Sequence, residues 1–354
     1  MRLKCAKKVK QEKKSYDISQ SALYKTSSKS KLAAIYSLSV SQLLNSIGNY
    51  KRFEMTPKAD PFNTGKQPKS RWVQKPKGKL LAIHERTLKL LRCVQVPEYM
   101  QSALKGTSYK RNAESHLAGR MVATLDISSF FRSTTKSQVF NFFREQLECP
   151  GDIAKIYADL VTCDDCIPTG SPLSPLLSYY ANKPLFDELS VMAKSLDLNF
   201  TCYVDDLAFS GNHIKLNFLW KIEKIIKKYG HSTASKKTKI FGPDTPKHIT
   251  GTVIENGVLK VPNVRFRKIR LIKSALAGKG NSFGFSESQL KYKLGGLLGE
   301  AAYLDSDFKS LADEYNRKIR ELNLAALGNG EAYRSLPNPS EVADESFIPP
   351  WRTE

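Results

Sequence analysis

Apolar residues return every three or four positions in several stretches of the chain, and this spacing predicts amphipathic helices. The fourth stretch opens with two Ser-Pro pairs, and proline is tolerated in the first turn of a helix. The last stretch is also rich in basic side chains. The predicted helices cover residues 30–48, 81–96, 136–147, 171–189, 218–229 and 264–330.

Short apolar runs between these helices predict strands. Residues 51–80 are rich in Lys, Pro and Gly, and we expect short strands with loops there. Asn256-Gly257 separates two further runs and suits a two-residue hairpin turn. Because helices alternate with short, mostly antiparallel strands and more helices follow, the predicted fold class is α+β. The other predicted strands are 121–125, 200–204, 207–210, 248–254 and 258–262.

The chain is strongly basic. Its 354 residues include 56 Lys and Arg against 34 Asp and Glu, a formal net charge of +22. Such an excess favours a polyanionic partner, either nucleic acid or an anionic membrane surface. No apolar run approaches the length of a membrane span, and the basic opening lacks the apolar core of a secretory signal. We therefore expect a flexible basic arm at 1–29, nucleic acid as the partner and no membrane.

The six cysteines are scattered without the spacing of a disulfide framework, which favours a reducing, cytoplasmic location. Cys163 and Cys166 form a CxxC pair around Asp164-Asp165. No second CxxC or Cys-His pair in the sequence would complete a zinc site. Local packing is therefore favoured over a metal or redox role for this pair.

Two adjacent carboxylates, Asp205 and Asp206, lie between the predicted strands 200–204 and 207–210. A solvated turn is the ordinary interpretation of an Asp-Asp pair. Here the flanking residues are β-branched and aromatic, which favours strands that are at least half buried. Carboxylates on such a scaffold generally have a counter-charge, and a divalent cation is one that two of them can share.

A third carboxylate, Asp126, follows the predicted strand 121–125 and precedes an aromatic pair in the segment LDISSFF. Alone, it could be the N-cap of the next helix. Together with Asp205 and Asp206 it completes a set of three carboxylates. Such a set can hold two magnesium ions, which clamp the attacking and leaving oxygens in phosphoryl transfer. The sequence therefore predicts a site for two Mg²⁺ ions at these strand ends.

These segments resemble the palm motifs of reverse transcriptases. A finer resemblance, to bacterial retron reverse transcriptases, is carried by Asn112-Ala113-x-x-His116 before the first aspartate and Ile249-Thr250-Gly251 after the hairpin. The resemblance covers roughly residues 50–330. The palm-like segments, in chain order, are LDISSFF (125–131), IPTGSPLSP (167–175), YVDD (203–206) and KKT (236–238).

The resemblance implies a right-hand polymerase with fingers, a palm and a helical thumb. The expected division is a basic N-terminal arm at 1–29, fingers with the start of the palm at 30–120, the palm at 121–262 with a fingers insertion near 136–168, a helical thumb at 263–330 and a C-terminal tail at 331–354.

The resemblance also implies roles for the residues around the aspartates. Asp126, Asp205 and Asp206 match the catalytic, metal-binding aspartates, and the backbone carbonyl of Ile127 would complete the metal shell. Lys237 matches the lysine that protonates departing pyrophosphate, with a solvated surface lysine as its alternative.

A second group of residues matches positions that face the incoming nucleotide. Phe131 matches the bulky side chain that blocks a ribose 2′-OH and so favours deoxynucleotides, with core packing as its alternative. Thr169 stands where the family usually has Gln, and its shorter hydroxyl could not make the same contacts to the incoming nucleotide. The others are the triphosphate-gripping Arg71 with Lys66 or Lys69, and the turn residues Gly170, Ser174 and Pro175.

A third group is expected to serve structure or RNA binding. Asn112 and His116 are expected to be structural or to contact RNA rather than to act in catalysis. The basic residues at the start of the predicted thumb are expected to follow one phosphate track, first along a short extended segment and then along one helix face. They are Arg265, Arg267, Lys268, Arg270 and Lys273.

The retron resemblance implies an RNA-directed DNA polymerase that copies its own structured noncoding RNA, starting from a guanosine 2′-OH in that RNA. The substrates would be deoxynucleoside triphosphates, and the product a branched RNA–DNA molecule (msDNA) that stays bound. Systems of this kind often defend bacteria against phage together with a separate effector protein.

Two alternatives stay open. One is another bacterial reverse transcriptase, of the diversity-generating or abortive-infection type, against which the NAxxH and ITG elements argue. The other is a catalytically silent RNA-binding scaffold, against which the three intact aspartates argue.

Overall fold

The computed structural model describes residues 15–57, 59–62, 69–215 and 217–328, and within them nine strands form three sheets. The strands are β1 (Tyr50–Met55), β2 (Arg71–Pro76), β3 (Met121–Asp126), β4 (Asn199–Tyr203), β5 (Asp206–Gly211), β6 (Lys239–Phe241), β7 (Lys247–Ile249), β8 (Thr252–Glu255) and β9 (Val258–Lys260).

Helices of four or more residues connect and cover these strands. A π-helical turn, Phe142–Gln146, continues the sixth of them. They are α1 (Lys29–Ile35), α2 (Val40–Leu44), α3 (Lys79–Leu91), α4 (Tyr109–Glu114), α5 (Phe130–Ser133), α6 (Lys136–Asn141), α7 (Gly151–Val161), α8 (Ser174–Ala181), α9 (Lys183–Ser195), α10 (Asn217–Lys228), α11 (Asn263–Leu276), α12 (Glu287–Leu304) and α13 (Lys309–Gly328).

The strands pair antiparallel throughout the three sheets. A four-stranded central sheet has the order β4-β5-β3-β6, a β-meander has the order β7-β8-β9, and β1 pairs with β2 in a separate hairpin. Helices cover the central sheet, and α11–α13 form a helical bundle at the C-terminal end. The prediction of an α+β fold is therefore confirmed.

The two faces of the central sheet pack against different partners. Side chains alternate between the faces along each strand. Val122 and Ala208, on one face, share a small cluster with Ile249 and Ile254 of the β-meander. Leu125 and Phe209, on the other face, belong to the large core that the helices build. Asp126 and Asp206 fall in step with Val122 and Ala208, so they belong to the face toward the β-meander.

The helical bundle has a smaller core of its own, and the loop after β1 reaches into it. The side chain of Phe62 is 2% exposed and packs within that core. Its ring lies edge-to-face against Phe283, with 5.1 Å between the centroids. Asp60 forms an ion pair with Lys268 of α11 at 3.0 Å. The loop and the bundle are therefore in direct contact.

Two predicted helices are each broken into two shorter ones at a recognisable local signal. The helix predicted at 30–48 ends before Ser37, which has a left-handed φ of 56°, and α2 restarts with a capping box between Ser39 and Gln42. The helix predicted at 171–189 is interrupted at Asn182, because Pro184, in the first turn of α9, has no N–H with which to continue the hydrogen bonds of α8.

The strand predicted at 248–254 is wrong as a single element. Thr250 and Gly251 have φ values of 42° and 76°, so they form a tight turn and the chain folds back from β7 into β8. The Asn-Gly turn that follows is confirmed, since Glu255 pairs with Val258 across it. The short helices α4 and α7 and the edge strand β6 were not predicted.

No helix among residues 15–57, 59–62, 69–215 and 217–328 is long and apolar enough to cross a membrane.

Candidate active site

The Asp-Asp pair lies at a tight turn between two buried strands. Tyr203 pairs with Asp206 across the β4–β5 hairpin, so only Val204 and Asp205 form the loop. Val204 has a φ of 59°, a conformation that a β-branched residue rarely adopts. Its amide donates a hydrogen bond to the Ser102 hydroxyl oxygen at 3.0 Å. The turn is thus held in a strained geometry by a neighbouring segment.

That neighbouring segment runs along the outer edge of β4. The amide of Cys202 donates to the carbonyl oxygen of Tyr99 at 2.7 Å, and the amide of Gln101 donates to the carbonyl oxygen of Cys202 at 2.9 Å. These hydrogen bonds occupy the edge of the sheet next to the turn. They restrict where the two carboxylates can lie. No local pattern around Ser102 predicts this role, because its partner is a backbone amide 102 positions away.

Asp126 is brought to the same end of the sheet by strand register. It is the direct cross-strand partner of Asp206, and the amide of Ile127 donates to the carbonyl oxygen of Asp205 at 3.0 Å. The side chain of Asp126 is only 13% exposed. The prediction that the third carboxylate joins the hairpin pair is borne out by this register, while its catalytic role stays a prediction.

The ammonium group of Lys237 contacts this carboxylate cluster. Its Nζ is 2.9 Å from Oδ2 of Asp126. Partial burial lowers the pKa of Lys237, but the hydrogen bond to Asp126 and the charges of Asp126, Asp206 and Asp205 outweigh it, so the net pKa is raised. The lysine is held by a short 3₁₀ turn, Ser235–Lys237, and the amide of Ala234 donates to the carbonyl oxygen of Asp126 at 2.9 Å. An ammonium group therefore neutralises part of the cluster.

The donor set is that of a site for a hard divalent cation. Carboxylate and backbone carbonyl oxygens are the ligands that Mg²⁺ prefers. The ammonium of Lys237 shows that the cluster attracts a cation. Within the described residues, however, no three His, Cys, Asp or Glu side chains stand close enough to form a ready-made metal site. The residues fit the ion chemically, and the assignment of Asp126, Ile127, Asp205 and Asp206 as metal ligands stays a prediction.

Phe131 follows Asp126 by one short turn. Its ring is half-buried and tilted against that of Phe130, with 6.2 Å between the centroids. Its carbonyl oxygen accepts a hydrogen bond from the amide of Ile167 at 3.2 Å. The segment that carries Phe131 is therefore joined to the loop that contains Thr169 and Gly170. The ring also packs against the large core, and its contact with the sugar stays a prediction.

A glycine is needed at position 170 because strand β2 passes close to its Cα. A Cβ added to it would lie 2.6 Å from Cγ1 of Val73 and 2.8 Å from the carbonyl oxygen of Gln74. Its amide donates to that same carbonyl oxygen at 3.1 Å. Only a residue without a Cβ permits this close approach to β2, and the nucleotide-facing role of Gly170 stays a prediction.

Thr169 is held by the same strand. Its hydroxyl lies 3.1 Å from the carbonyl oxygen of Trp72 and 3.1 Å from Oε1 of Gln74, which also accepts from the Thr169 amide at 3.3 Å. A glutamine side chain is therefore present beside Thr169, supplied by β2. The sequence analysis missed Gln74, whose only signal was a polar residue within a predicted strand.

The prediction that the Ser174 side chain contacts a nucleotide is wrong. Ser174 is 1% exposed, and its hydroxyl donates to the carbonyl oxygen of Pro168 at 2.5 Å. It closes its own loop instead. Arg71 begins β2 and is half-buried, and Lys69 is exposed just before it. Lys66 lies outside the described residues.

Asn112 and His116 are buried, which excludes direct RNA contact by their side chains. Asn112 is 1% exposed and donates from Nδ2 to the Thr250 hydroxyl at 3.2 Å. His116 is fully buried between the hydroxyls of Ser210 and Thr201, 2.7 Å from each. Burial lowers the pKa of His116 to about 4, so the ring is neutral. The two motifs NAxxH and ITG therefore meet and join α4 to the β-meander and the central sheet.

The basic residues at the start of α11 divide into two groups: Arg265 and Lys268 form ion pairs, and Arg267, Arg270 and Lys273 do not take part in these pairs. The prediction of a short extended segment there is wrong, because α11 begins at Asn263. Arg265 forms an ion pair with Glu300 at 3.1 Å and lies over the ring of Tyr109. These contacts hold α11 to α12 and α4, and they leave little of Arg265 for RNA. Arg267, Arg270 and Lys273 are exposed, and their RNA-binding role stays a prediction.

Cys163 and Cys166 form the ends of a second two-residue hairpin. Their backbones exchange two hydrogen bonds, and Asp164 and Asp165 form the turn with φ values of 53° and 56°. Both thiols are free and buried, and burial raises the pKa of each. Unreactive, buried thiols agree with the packing role that was favoured for this pair.

The residues around the aspartates match a known family. The model of the family "Reverse transcriptase (RNA-dependent DNA polymerase)" matches residues 64–266, which is more than half of the chain. The match includes the central sheet, the β-meander and the first residues of α11. Reverse transcriptases generally use divalent metal ions, in agreement with the donor chemistry of the cluster.

Three similar proteins are named as retron reverse transcriptases. The chain is 28% identical over 234 residues to the Se72 protein of Salmonella heidelberg, covering 63% of this chain and 61% of that relative. It is 26% identical over 237 residues to the Ec86 protein of Escherichia coli, covering 65% and 73%. It is 24% identical over 262 residues to the Mx162 protein of Myxococcus xanthus, covering 64% and 53%. The chain belongs to the reverse transcriptase family, and its similar proteins include those of bacterial retrons.

Proposed function

We propose that this protein is an RNA-directed DNA polymerase of the retron type. The observation that supports it most directly is the register of Asp126 with Asp206, which gathers three aspartates at one end of the central sheet. Nothing in the fold requires this accumulation of negative charge, whereas nucleotidyl transfer does. We expect two Mg²⁺ ions to be bound by Asp126, Asp205, Asp206 and the carbonyl oxygen of Ile127. When bound, such ions activate the attacking hydroxyl and neutralise charge on the departing pyrophosphate.

The chain's own residues would then orient the substrates. Lys237, whose Nζ contacts Asp126, would give a proton to pyrophosphate as it departs, because its raised pKa keeps it protonated at neutral pH. Phe131 would restrict the space beside the sugar and favour deoxynucleotides. Arg71 would contact the triphosphate, since a guanidinium suits phosphate oxygens.

The retron relatives support a finer proposal. The template would be the protein's own structured noncoding RNA, and synthesis would start from a guanosine 2′-OH to give a branched RNA–DNA product (msDNA). The protein would take part in defence against phage with a separate effector protein. The meeting of Asn112 with Thr250 supports this choice over other bacterial reverse transcriptases, since it gives the two retron-like motifs one shared structural purpose.

The test compares two similar turns. Asp205 and Asp165 are each the second residue of a two-residue hairpin turn, and each belongs to an Asp-Asp pair. We expect Asp205→Asn to reduce primer extension on poly(rA)–oligo(dT) with dTTP and Mg²⁺ by at least about a hundredfold, the scale for losing one electrostatic catalytic group. Asp165→Asn makes the same chemical change at a side chain that is 90% exposed.

The control variant is expected to retain nearly full activity. Extension by Asp205→Asn at the wild-type rate would refute the assignment of the active site. Sequencing the nucleic acid that co-purifies with the protein tests the retron proposal separately: a branched RNA–DNA molecule supports it, and unrelated cellular RNA contradicts it.

A further inference from the structure

Helix α10 covers the central sheet on the side away from the aspartates. Its buried residues are Phe218, Ile222 and Ile226. Phe218 lies edge-to-face against Phe209 of β5, with 5.0 Å between the ring centroids. Phe209 and Asp206 are three positions apart on one strand, so their side chains lie on opposite faces. The outer surface of α10 is therefore separate from the candidate active site.

The outer surface of α10 is a continuous basic stripe. Its members are spaced three or four positions apart, or are adjacent, which places them along one side of the helix. All of them are exposed. The stripe, which we call the α10 stripe, consists of Asn217, Trp220, Lys221, Lys224, Lys227 and Lys228.

The charge of the α10 stripe is largely uncompensated. Lys228 forms an ion pair with Glu188 at 2.7 Å. Among the described residues, no carboxylate pairs with Lys221, Lys224 or Lys227. The only acidic residue of the helix, Glu223, accepts a hydrogen bond from Thr233 at 3.2 Å and is off the stripe. Three neighbouring cations without anions are suited to a polyanionic partner.

Trp220 adds a feature that solvation of lysines does not explain. Its side chain is 63% exposed, and Lys224 lies over its ring with Nζ 5.4 Å from the centroid. A large exposed aromatic ring beside cations is the arrangement on which unpaired nucleobases stack while lysines contact the phosphates. Duplexes do not offer such bases, because theirs are already stacked and paired.

We infer that the α10 stripe binds a single-stranded nucleic-acid segment, with Trp220 stacking on a base and Lys221, Lys224 and Lys227 contacting successive phosphates. This surface would hold a strand on the far side of the central sheet while another part of the nucleic acid lies at the aspartates. The inference rests on the proposed function only in that the protein handles nucleic acid.

A membrane surface fits the stripe less well. A helix that lies on a membrane inserts an apolar face, and the apolar face of α10 is already buried against the central sheet. Trp220 is the single large apolar side chain left on the outer side among the described residues of the helix.

The experiment measures binding without catalysis. The full-length protein, without divalent metal or nucleotides, is first saturated with a blunt RNA–DNA hybrid duplex to occupy the other nucleic-acid surfaces. Fluorescently labelled (U)12 or (dT)12 is then titrated at several salt concentrations. We expect Lys221→Gln/Lys224→Gln/Lys227→Gln to lower the salt slope of binding by about two units, at about 0.7 per contact for single strands. We expect Trp220→Ala to weaken binding roughly tenfold.

The control variant removes the same charge elsewhere. Lys29→Gln/Lys89→Gln/Lys155→Gln changes three exposed lysines on α1, α3 and α7, and it should leave the salt slope unchanged. Equal losses in the two triple variants would overturn the inference, because the effect would then be one of net charge. An unchanged affinity in Trp220→Ala, together with tighter binding of polyglutamate than of (U)12, would also overturn it in favour of an acidic protein partner.

Chemical acetylation locates the contact directly. We expect bound (U)12 to protect Lys221, Lys224 and Lys227 from acetylation, read by mass spectrometry, while Lys29 stays reactive. Reactive α10 lysines in the saturated complex would place the strand elsewhere. Comparison of (U)12 with (dT)12 decides between RNA and DNA as the strand. Because the readout is binding, a failure of polymerase activity would not be mistaken for a failure of this site.

Discussion

The aspartates at the end of the central sheet and the cations of α11 are held in place in different ways. Asp126, Asp205 and Asp206 are fixed by backbone register and by the segment that contains Ser102. Arg267, Arg270 and Lys273 are exposed on a helix of a small bundle, which the rest of the protein contacts through Phe62, the ring of Tyr109 and a few polar pairs. Groups that must react demand a rigid backbone, whereas groups that bind a flexible polyanion need only share a surface.

The large core and the helical bundle also differ in their content of buried histidines. Burial lowers the pKa of His84, His116 and His231 to about 4 each, and all three lie in or beside the large core. The chain has no histidine after residue 248, so the helical bundle has none. Acid should therefore act on the two regions unequally.

The largest expected effect is acid destabilisation of the large core. A histidine with a folded pKa near 4 and an unfolded pKa near 6.5 stabilises the protein fully above 6.5 and loses this contribution as pH falls toward 4. Between pH 6.5 and about 5, each buried histidine should cost about 2 kcal/mol of unfolding free energy. Urea unfolding at several pH values measures the sum, and hydrogen exchange resolves it by region.

Single variants sharpen this prediction. His116→Gln should be less stable at neutral pH but lose less stability on acidification, since one buried titratable ring is gone. The exposed His248 serves as the control, and His248→Gln should lose stability with acid as the wild type does. Acid-induced exchange that begins in α12 while α3 and α10 stay protected would contradict the proposed cause.

An intermediate effect is expected when the bundle loses the ring of Phe62. Phe62→Ala should destabilise the packing of α11 and α12 by about 3 kcal/mol, the scale for truncating a buried phenylalanine. Hydrogen exchange should rise in these helices and remain unchanged in the central sheet. The matched variant Phe283→Ala removes the exposed ring that contacts Phe62 and should have a smaller effect. An equal rise in β3 and β5 would show that the two regions are coupled more tightly than described.

The smallest expected effect is on the binding surface of α11. Arg267→Gln/Arg270→Gln/Lys273→Gln should weaken binding of the RNA that co-purifies with the protein roughly tenfold and lower its salt slope by about one unit per lost contact. Extension of a preannealed primer at high protein concentration should suffer less, because the aspartates are untouched. An unchanged salt slope would show that RNA is held elsewhere.

Much of the fold was predictable because its signals are local. Short apolar runs predicted β3, β4 and β5, and Asn256-Gly257 predicted the turn between β8 and β9. Short elements with weak periodicity were missed. Among them is α4, a helix of only six residues, which is too short to show a clear apolar repeat. The turn at Thr250 was missed because a threonine in left-handed geometry is uncommon and is fixed here by its contact with Asn112.

The candidate site was predictable in composition but less so in contacts. The aspartates could be paired in advance, since strand ends and turns are visible in the sequence. The burial of Asn112, His116 and Ser174 could not, because it depends on hydroxyl and carbonyl partners that only the folded chain brings near them. Gln74 was missed for the same reason, since its partner Thr169 is 95 positions away.

Because Asp126 pairs with Asp206, the central sheet should tolerate an inserted or deleted residue less well than a substituted one. Side chains alternate with a period of two, so one residue inserted into β5 would put part of that strand on the wrong face and separate Asp206 from the rest of its row. The connection between α11 and α12, residues 277–286, is bound by no strand register. A fluorescent domain or an affinity tag added within the chain therefore belongs near the start of that connection, before Phe283, whose ring packs against Phe62.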